Sequence, residues 1–354
     1  MKSQIRQRFN FGTIITNQKL IALSMLTLVA LASCKKDTTS TTTTPPASST
    51  GPQLKFVFKF DSTQARLDGF GNPSTLPANH RAQSPHFNGL SAHYIEMTKN
   101  NYTAIGAGTI LYTTPTTPIS PGITVWNSSH TTSQTYTDAI NFDQETVVGD
   151  GKQFFSIPLS QVSAGSYPYI RISVAYQNYG IKYAIKQGTT IPGYGSLPAN
   201  VYNTGTIASF IGYNSYITSY KVKNQTVPVN GSKQQGYWAF EADPYMSYTY
   251  PYIEGQAPQG ATTVVSPSAF ATASIPPGSC LVTGQFVSQS GTATPLVITG
   301  HETSDIIITV SMSTNQSFEW KYNPSNPNDG NIYTLNGDTV VDMGLRGMKP
   351  ILPN

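Results

Sequence analysis

"LKFVFKFD", residues 54–61, sets Phe56, Phe58 and Phe60 alternately against Lys55, Val57 and Lys59. A period of two sends successive side chains to opposite faces of an extended chain, which is the pattern of a half-buried strand. The same pattern returns in "GLSAHYIEM" (89–97), "FFSIPL" (154–159), "YIRISVAYQ" (169–177), "ITSYKVKNQTVPV" (217–229), "GYWAFEA" (236–242), "CLVTGQFV" (280–287), "TPLVITG" (294–300) and "DIIITVSMS" (305–313). Most of these runs are bounded by Gly, Pro or Asn clusters. Helical periodicity is almost absent after residue 54. The one place for a short helix is "TIASFIGYNSYI" (206–217), and its β-branched and aromatic content favours extended structure even there. The expected fold is therefore all-β: an antiparallel β-sandwich over residues 54–354, either one large elaborated sandwich or two smaller ones. If there are two, the Gly-rich stretch from Gln187 to Gly205 is the boundary, and Asn230-Gly231 suggests a hairpin between "TVPV" and "YWAFE".

Upstream of the strands the composition changes. Residues 38–52, TTSTTTTPPASSTGP, hold no charge and no large apolar side chain, so they cannot bury enough surface to offset the entropy of ordering. They read as a tether of roughly 18 residues after Cys34, able to reach on the order of 50 Å. Before it, Lys2, Arg6, Arg8 and Lys19 precede the apolar run Leu20 to Ala32, which is shorter than the roughly 20 residues a membrane-spanning helix needs but right for a secretory signal. Leu31-Ala32-Ser33-Cys34 resembles the bacterial lipobox, which implies cleavage after residue 33 and acylation of Cys34. Two or three acyl chains anchor nearly permanently. The expected organisation is a cleaved signal peptide (1–33), a lipidated cysteine with its tether (34–53) and the folded body. Lys35 follows the cysteine where Asp would favour inner-membrane retention, so the expected location is the outer membrane.

The chain has 21 Lys+Arg and 17 Asp+Glu, and four of the bases but none of the acids lie in residues 1–33. The mature chain is thus balanced at 21 − 4 = 17 against 17, and its apparent basicity belongs to the leader. With no basic run beyond Lys35-Lys36, the footprint of a nucleic-acid partner is missing. Charged residues make up 11%, where about 25% is usual for a soluble domain, and this suits an exported β protein. Cys280 is the only thiol left once Cys34 carries lipid, so no intrachain disulfide forms, and it reads as a small buried hydrophobe.

Four groups of residues carry candidate chemistry. His80, His86 and His93 fall within fourteen residues, yet separations of six and seven on no regular element do not by themselves converge on a metal ion. "NPSNPNDGNIYTLNGD" (323–338) has the look of a cation loop, but counting back from Gly330 gives Asp329, Pro327 and Ser325, and proline has no ligand to offer. Glu241, Asp243 and Glu254 flank an aromatic loop, as the paired carboxylates of a glycan-degrading enzyme would. No nucleophile elbow, P-loop or GxGxxG is present, so the sequence favours a binding module over an enzyme. The aromatic loop itself is the strongest binding feature: Tyr248, Tyr250 and Tyr252, with Trp238 upstream, offer flat faces and hydroxyls suited to a glycan or a protein partner.

In order, "LKFVFKFD", "FNGLSAHYIEM", "FFSIPLSQVSAGSYPYIRISVAYQ", "GYWAFE…YIEGQ" and "PLVITG…DIIITVSMS" resemble the motif succession of the MbnP-like family of exported β-sandwich proteins, over about residues 54 to 320. The resemblance implies a sandwich and, for some members, copper held by histidines and an oxidised tryptophan; in this chain Trp238 stands in the matching aromatic strand without a histidine near it in sequence. "CKKD" (34–37) is similar to the start of lipoproteins of the Bacteroidota. The expectation is a lipid-anchored, non-enzymatic binding or interaction module of the outer membrane or cell surface, with a copper-handling protein and a glycan-binding or glycan-degrading lipoprotein as alternatives.

Overall fold

The computed structural model describes residues 51–126, 133–246, 248–256, 280–321, 332–335 and 338–354. The expected signal peptide, Cys34, most of the expected tether, and Ser325, Pro327, Asp329 and Gly330 of the cation-like stretch lie outside the described residues. There is no α-helix among the described residues, only two single-turn 3-10 helices at Phe142–Gln144 and Leu159–Gln161.

In chain order the strands are β1 (Gln53–Asp61), β2 (His80–Gln83), β3 (His86–Thr98), β4 (Thr109–Thr113), β5 (Thr116–Trp126), β6 (Ser133–Asn141), β7 (Lys152–Pro158) and β8 (Gly165–Tyr167). They continue as β9 (Tyr169–Ile185), β10 (Thr190–Ile191), β11 (Gly195–Ser196), β12 (Val201–Phe210), β13 (Asn214–Lys221), β14 (Thr226–Gln234), β15 (Tyr237–Ala242) and β16 (Ile253–Gln256). The last are β17 (Cys280–Gln285), β18 (Leu296–Ile298), β19 (Ile306–Ser313), β20 (Phe318–Lys321), β21 (Tyr333–Leu335), β22 (Thr339–Met343) and β23 (Met348–Ile351).

A large central sheet runs β16-β15-β12-β9-β3-β4, and β17 and β21 also pair with β9. At 17 residues β9 is long enough to carry two partners along each edge. β3 and β21 share one edge, while β12 (along Tyr176 to Ile185) and β17 (along Tyr169 to Val174) share the other. Against one face lies the sheet β23-β19-β1-β7 together with β2-β20-β22. Here the opening alternation is realised: Leu54, Phe56 and Phe58 are fully buried, and Phe58 stacks on Phe154 of β7 with ring centroids 4.5 Å apart. Burying each of these side chains stabilises by about 1.5–3 kcal/mol. The sheet β14-β13-β6-β5 covers the opposite face, where Tyr176, Phe210, Ile217, Tyr220 and Tyr237 form a second core. The expected sandwich is present, and its central sheet is covered on both sides.

That double cover explains why β9 and β3 are buried without interruption from Ile170 to Tyr179 and from Gly89 to Thr98. A strand enclosed on both faces has no reason to alternate.

Several local expectations are corrected. Residues 206–217 are not helical but close β12 and open β13. "ITSYKVKNQTVPV" is not one strand but the hairpin β13–β14, turning at residues 222–225. Asn230 has φ 49°, as an Asn-Gly turn would need, yet it sits inside β14, where the register against β13 shifts; it marks a bulge and not a hairpin. Nor is 187–205 a boundary, because β9 and β12 pair across it, the small β10–β11 hairpin fills the connection, and residues 51–354 form one unit.

Candidate functional site

On its second face the central sheet outreaches the β13–β14 cover, leaving a cleft of about 350 Å³ beyond the hairpin turn. It is lined by Asn88 of β3, Asn178 and Gly180 of β9, Thr204 to Thr206 of β12, Val222 and Lys223 of the turn, and Asp243 just after β15. The floor follows from register. Gly180 faces His86 on one side and Thr206 on the other. A Cβ on Gly180 would meet nothing closer than 3.9 Å, so this missing side chain is what opens the floor. Thr204 and the 57% exposed Tyr202 stand on the same face of β12, two residues apart.

The walls are tied to the floor. Asn178 Nδ2 donates to the Val222 carbonyl at 2.8 Å and to the Tyr176 hydroxyl at 3.2 Å, while Asn88 Nδ2 donates to Asn178 Oδ1 at 2.8 Å. Lys223 Nζ pairs with Asp243 Oδ1 at 2.5 Å, and Thr204 Oγ1 donates to the other carboxylate oxygen. The turn is held by Glu241, a buried side chain of β15 whose carboxylate accepts the backbone N–H groups of Lys223 (2.9 Å), Asn224 (3.0 Å) and Gln225 (3.0 Å). Chemically the cleft is a neutral, polar seat with donors and acceptors interleaved.

The carboxylates singled out from sequence are thereby engaged. Glu241 fastens a turn, Asp243 is bound by Lys223 and Thr204, and Glu254 accepts the Tyr237 hydroxyl. The aromatic loop does not form one flat platform. Trp238 lies across Gly255 of β16, where a Cβ would come within 2.1 Å of its ring. Tyr248 and Tyr250 meet edge to face at 4.9 Å and pack with Trp238 against the first core, whereas Tyr252 packs against the second. Gln225 straps the loop to the hairpin turn, donating to the Tyr250 carbonyl at 3.0 Å and accepting the Tyr252 N–H at 3.2 Å. These side chains are half-buried covers of the core.

The three histidines are not brought together, and no group of three or more His, Cys, Asp or Glu suited to a metal occurs among the described residues. His80 of β2 lies against Glu319 of β20, whose other oxygen binds Arg66 at 2.6 Å; buried Arg346 stands 3.6 Å away and bridges to Asp342 at 3.1 Å. Burial pushes the Glu319 carboxyl up, but the hydrogen bonds from His80 and Arg66 outweigh it and leave the pKa lowered. His86 is exposed on the cleft floor. His93 is buried edge-on to the Tyr213 ring at 5.2 Å, and burial drives its pKa down to about 3. The copper reading draws no support from this arrangement. Nearby, burial pushes Glu145 up to about 7, while Thr114 and Ser91 stand close enough to oppose this without completing hydrogen bonds. Cys280 is buried at the start of β17, and burial pushes its thiol up to about 12.

The sequence reading reached His86 and Asp243 but not the cleft they border. One signal was available: a glycine inside a strand, as in "QNYGIKY" around Gly180, marks a place where something approaches the backbone. No family model, curated protein or solved structure matches this chain.

Proposed function

We propose that this is a lipid-anchored cell-envelope protein, held at the outer membrane by acyl chains on Cys34, and that it is a non-enzymatic binding module taking its ligand in the cleft over Gly180. The binding role rests on one observation: a cleft of about 350 Å³, within the usual range for ligand sites, whose polar walls are set by buried hydrogen bonds. The anchor rests on the leader and on Leu31-Ala32-Ser33-Cys34. Metabolic labelling with palmitate tests the anchor: the native chain is expected to take up label and fractionate with membranes, and Cys34→Ala to lose the label. A native chain that is unlabelled and retains its leader would overturn it. Acetylation footprinting tests the site. Soluble envelope extract is expected to protect Lys223 but not Lys221, and equal labelling of both would reject the cleft as the binding surface.

A further inference from the structure

The lining of the cleft also restricts what it can hold. We propose that its ligand is a neutral carbohydrate chain, one sugar ring lying flat on Gly180 between His86 and Thr206 and a later ring of the same chain against the Tyr202 ring; this rests on the reading of the cleft as the binding site.

Charge is the first argument. Among the described residues, the ionised groups lining the cleft are Lys223 and Asp243, which neutralise each other at 2.5 Å, with Lys182 at the rim. An anion such as a phosphate would want several unopposed cations or converging N–H groups, and a cationic ligand an unopposed carboxylate. Neither is on offer in the lining.

Hydrogen-bond type is the second. Two carboxamides, two threonine hydroxyls, one ammonium and one carboxylate supply donors and acceptors side by side. Asn88 keeps a carbonyl oxygen and a second N–H beyond its bond to Asn178, and Lys223 keeps two of its three protons. Each sugar hydroxyl both donates and accepts, so a row of them matches such a wall. An apolar ligand would leave the remaining Asn88 carboxamide groups and Lys223 protons without partners.

Shape is the third. A bare glycine flanked by His86 and Thr206 is a slot one residue wide with a flat backbone floor. Tyr202 continues the same face along β12 and presents a ring to solvent, the kind of surface on which the apolar face of a pyranose stacks. Lys182, exposed on that face at the rim, is where an acidic sugar would gain instead, which makes acidic oligosaccharides the opposing arm of the test.

The test uses the full mature chain in detergent, titrated with short neutral gluco-, manno- and xylo-oligosaccharides and with oligogalacturonides. At least one neutral series is expected to bind, with oligogalacturonides weaker. Gly180→Val fills the slot from its floor without a clash at Cβ, and a β-branched residue suits a strand. It is expected to abolish binding and leave the thermal midpoint unchanged or raised. Tyr202→Ala, an exposed position, is expected to weaken binding about three- to tenfold. Stronger binding of oligogalacturonides that is lost in Gly180→Val would overturn the neutral ligand while leaving the cleft as the site. Neutral binding that survives Gly180→Val in a folded protein would overturn the cleft itself. Binding of neither series would overturn the carbohydrate assignment.

Discussion

Replacing His93 by leucine separates the two effects of burying an imidazole. In the native protein His93 is 4% exposed, and neither ring nitrogen has a hydrogen-bond partner among the described residues. The ordinary histidine pKa of 6.5 is lowered to about 3 by burial. Between those values the unfolded chain binds a proton that the folded one refuses, so this residue's contribution to stability falls as pH drops from 6.5 toward 3. At ~1.4 kcal/mol per pH unit the loss is on the order of 2 kcal/mol at pH 5 and 4–5 kcal/mol at the acid end. Leucine has a similar volume and no proton to bind, so His93→Leu removes this acid sensitivity. At pH 7 it also removes the cost of holding an unpaired polar ring in the core, a gain of about 1–2 kcal/mol. Urea unfolding of the mature chain at pH 7, 6 and 5 measures both, and taking the difference between variant and native protein cancels other titrating groups. The variant is expected to lead at pH 7 and to lead by roughly 2 kcal/mol more at pH 5. A variant less stable at pH 7, with an unchanged acid slope, would mean that His93 makes a needed hydrogen bond, and the reasoning would fail.

Glu145 carries the opposite sign. Its pKa, raised by burial from 4.5 to about 7, lets the folded state keep a proton the unfolded state releases, so its contribution to stability falls as pH rises through that window, by on the order of 2–3 kcal/mol. Glu145→Gln should gain on the native protein from pH 4.5 to 7 and run parallel above; parallel curves throughout would refute the shift. Glu241→Gln sets an amide against the three backbone N–H groups of the turn, with an expected cost of about 2–4 kcal/mol and faster hydrogen exchange at Asn224 and Gln225; unchanged exchange would show that the turn holds itself. Gly255→Ala drives a methyl to within 2.1 Å of the Trp238 ring and should cost about 1–3 kcal/mol with a shift in tryptophan fluorescence, whereas an unperturbed spectrum would contradict the packing of Trp238 over that glycine.

Legibility followed the environment of each strand. β1 was plain because one face is buried and the other is wet, and β7 and β19 began within about two residues of the expected positions for the same reason; β15 and β17, buried on both faces, were found equally closely from the Gly and Pro residues that precede them in sequence. β9 was seen only in its first half: Tyr179, Ile181, Tyr183 and Ile185 go on alternating inward against Gly180 and exposed Lys182, but Asn178 and Gly180 read in sequence as the end of a strand. Strands β20, β22 and β23 were missed: they are short, and β20 gives its two acidic and basic side chains to a sheet whose burial depends on neighbours far away in the chain. The tyrosines of the aromatic loop misled because composition counts rings but not which way they face. Tyr252 turned to one core while Tyr248 and Tyr250 turned to the other.

From its residues alone this chain declared itself strand-built, electrically balanced beyond residue 33, and free of the common catalytic signatures, because period, composition and motif are local properties of the polymer. Which strands neighbour one another is not local. The cleft joins residues 88, 178–180, 204–206, 222–223 and 243, and it exists only because registers on both edges of β9 align Gly180 with His86 and Thr206. A shift of one residue in either pairing would send those side chains to the opposite face, so the site was decided by the tertiary fold and could not be read in advance.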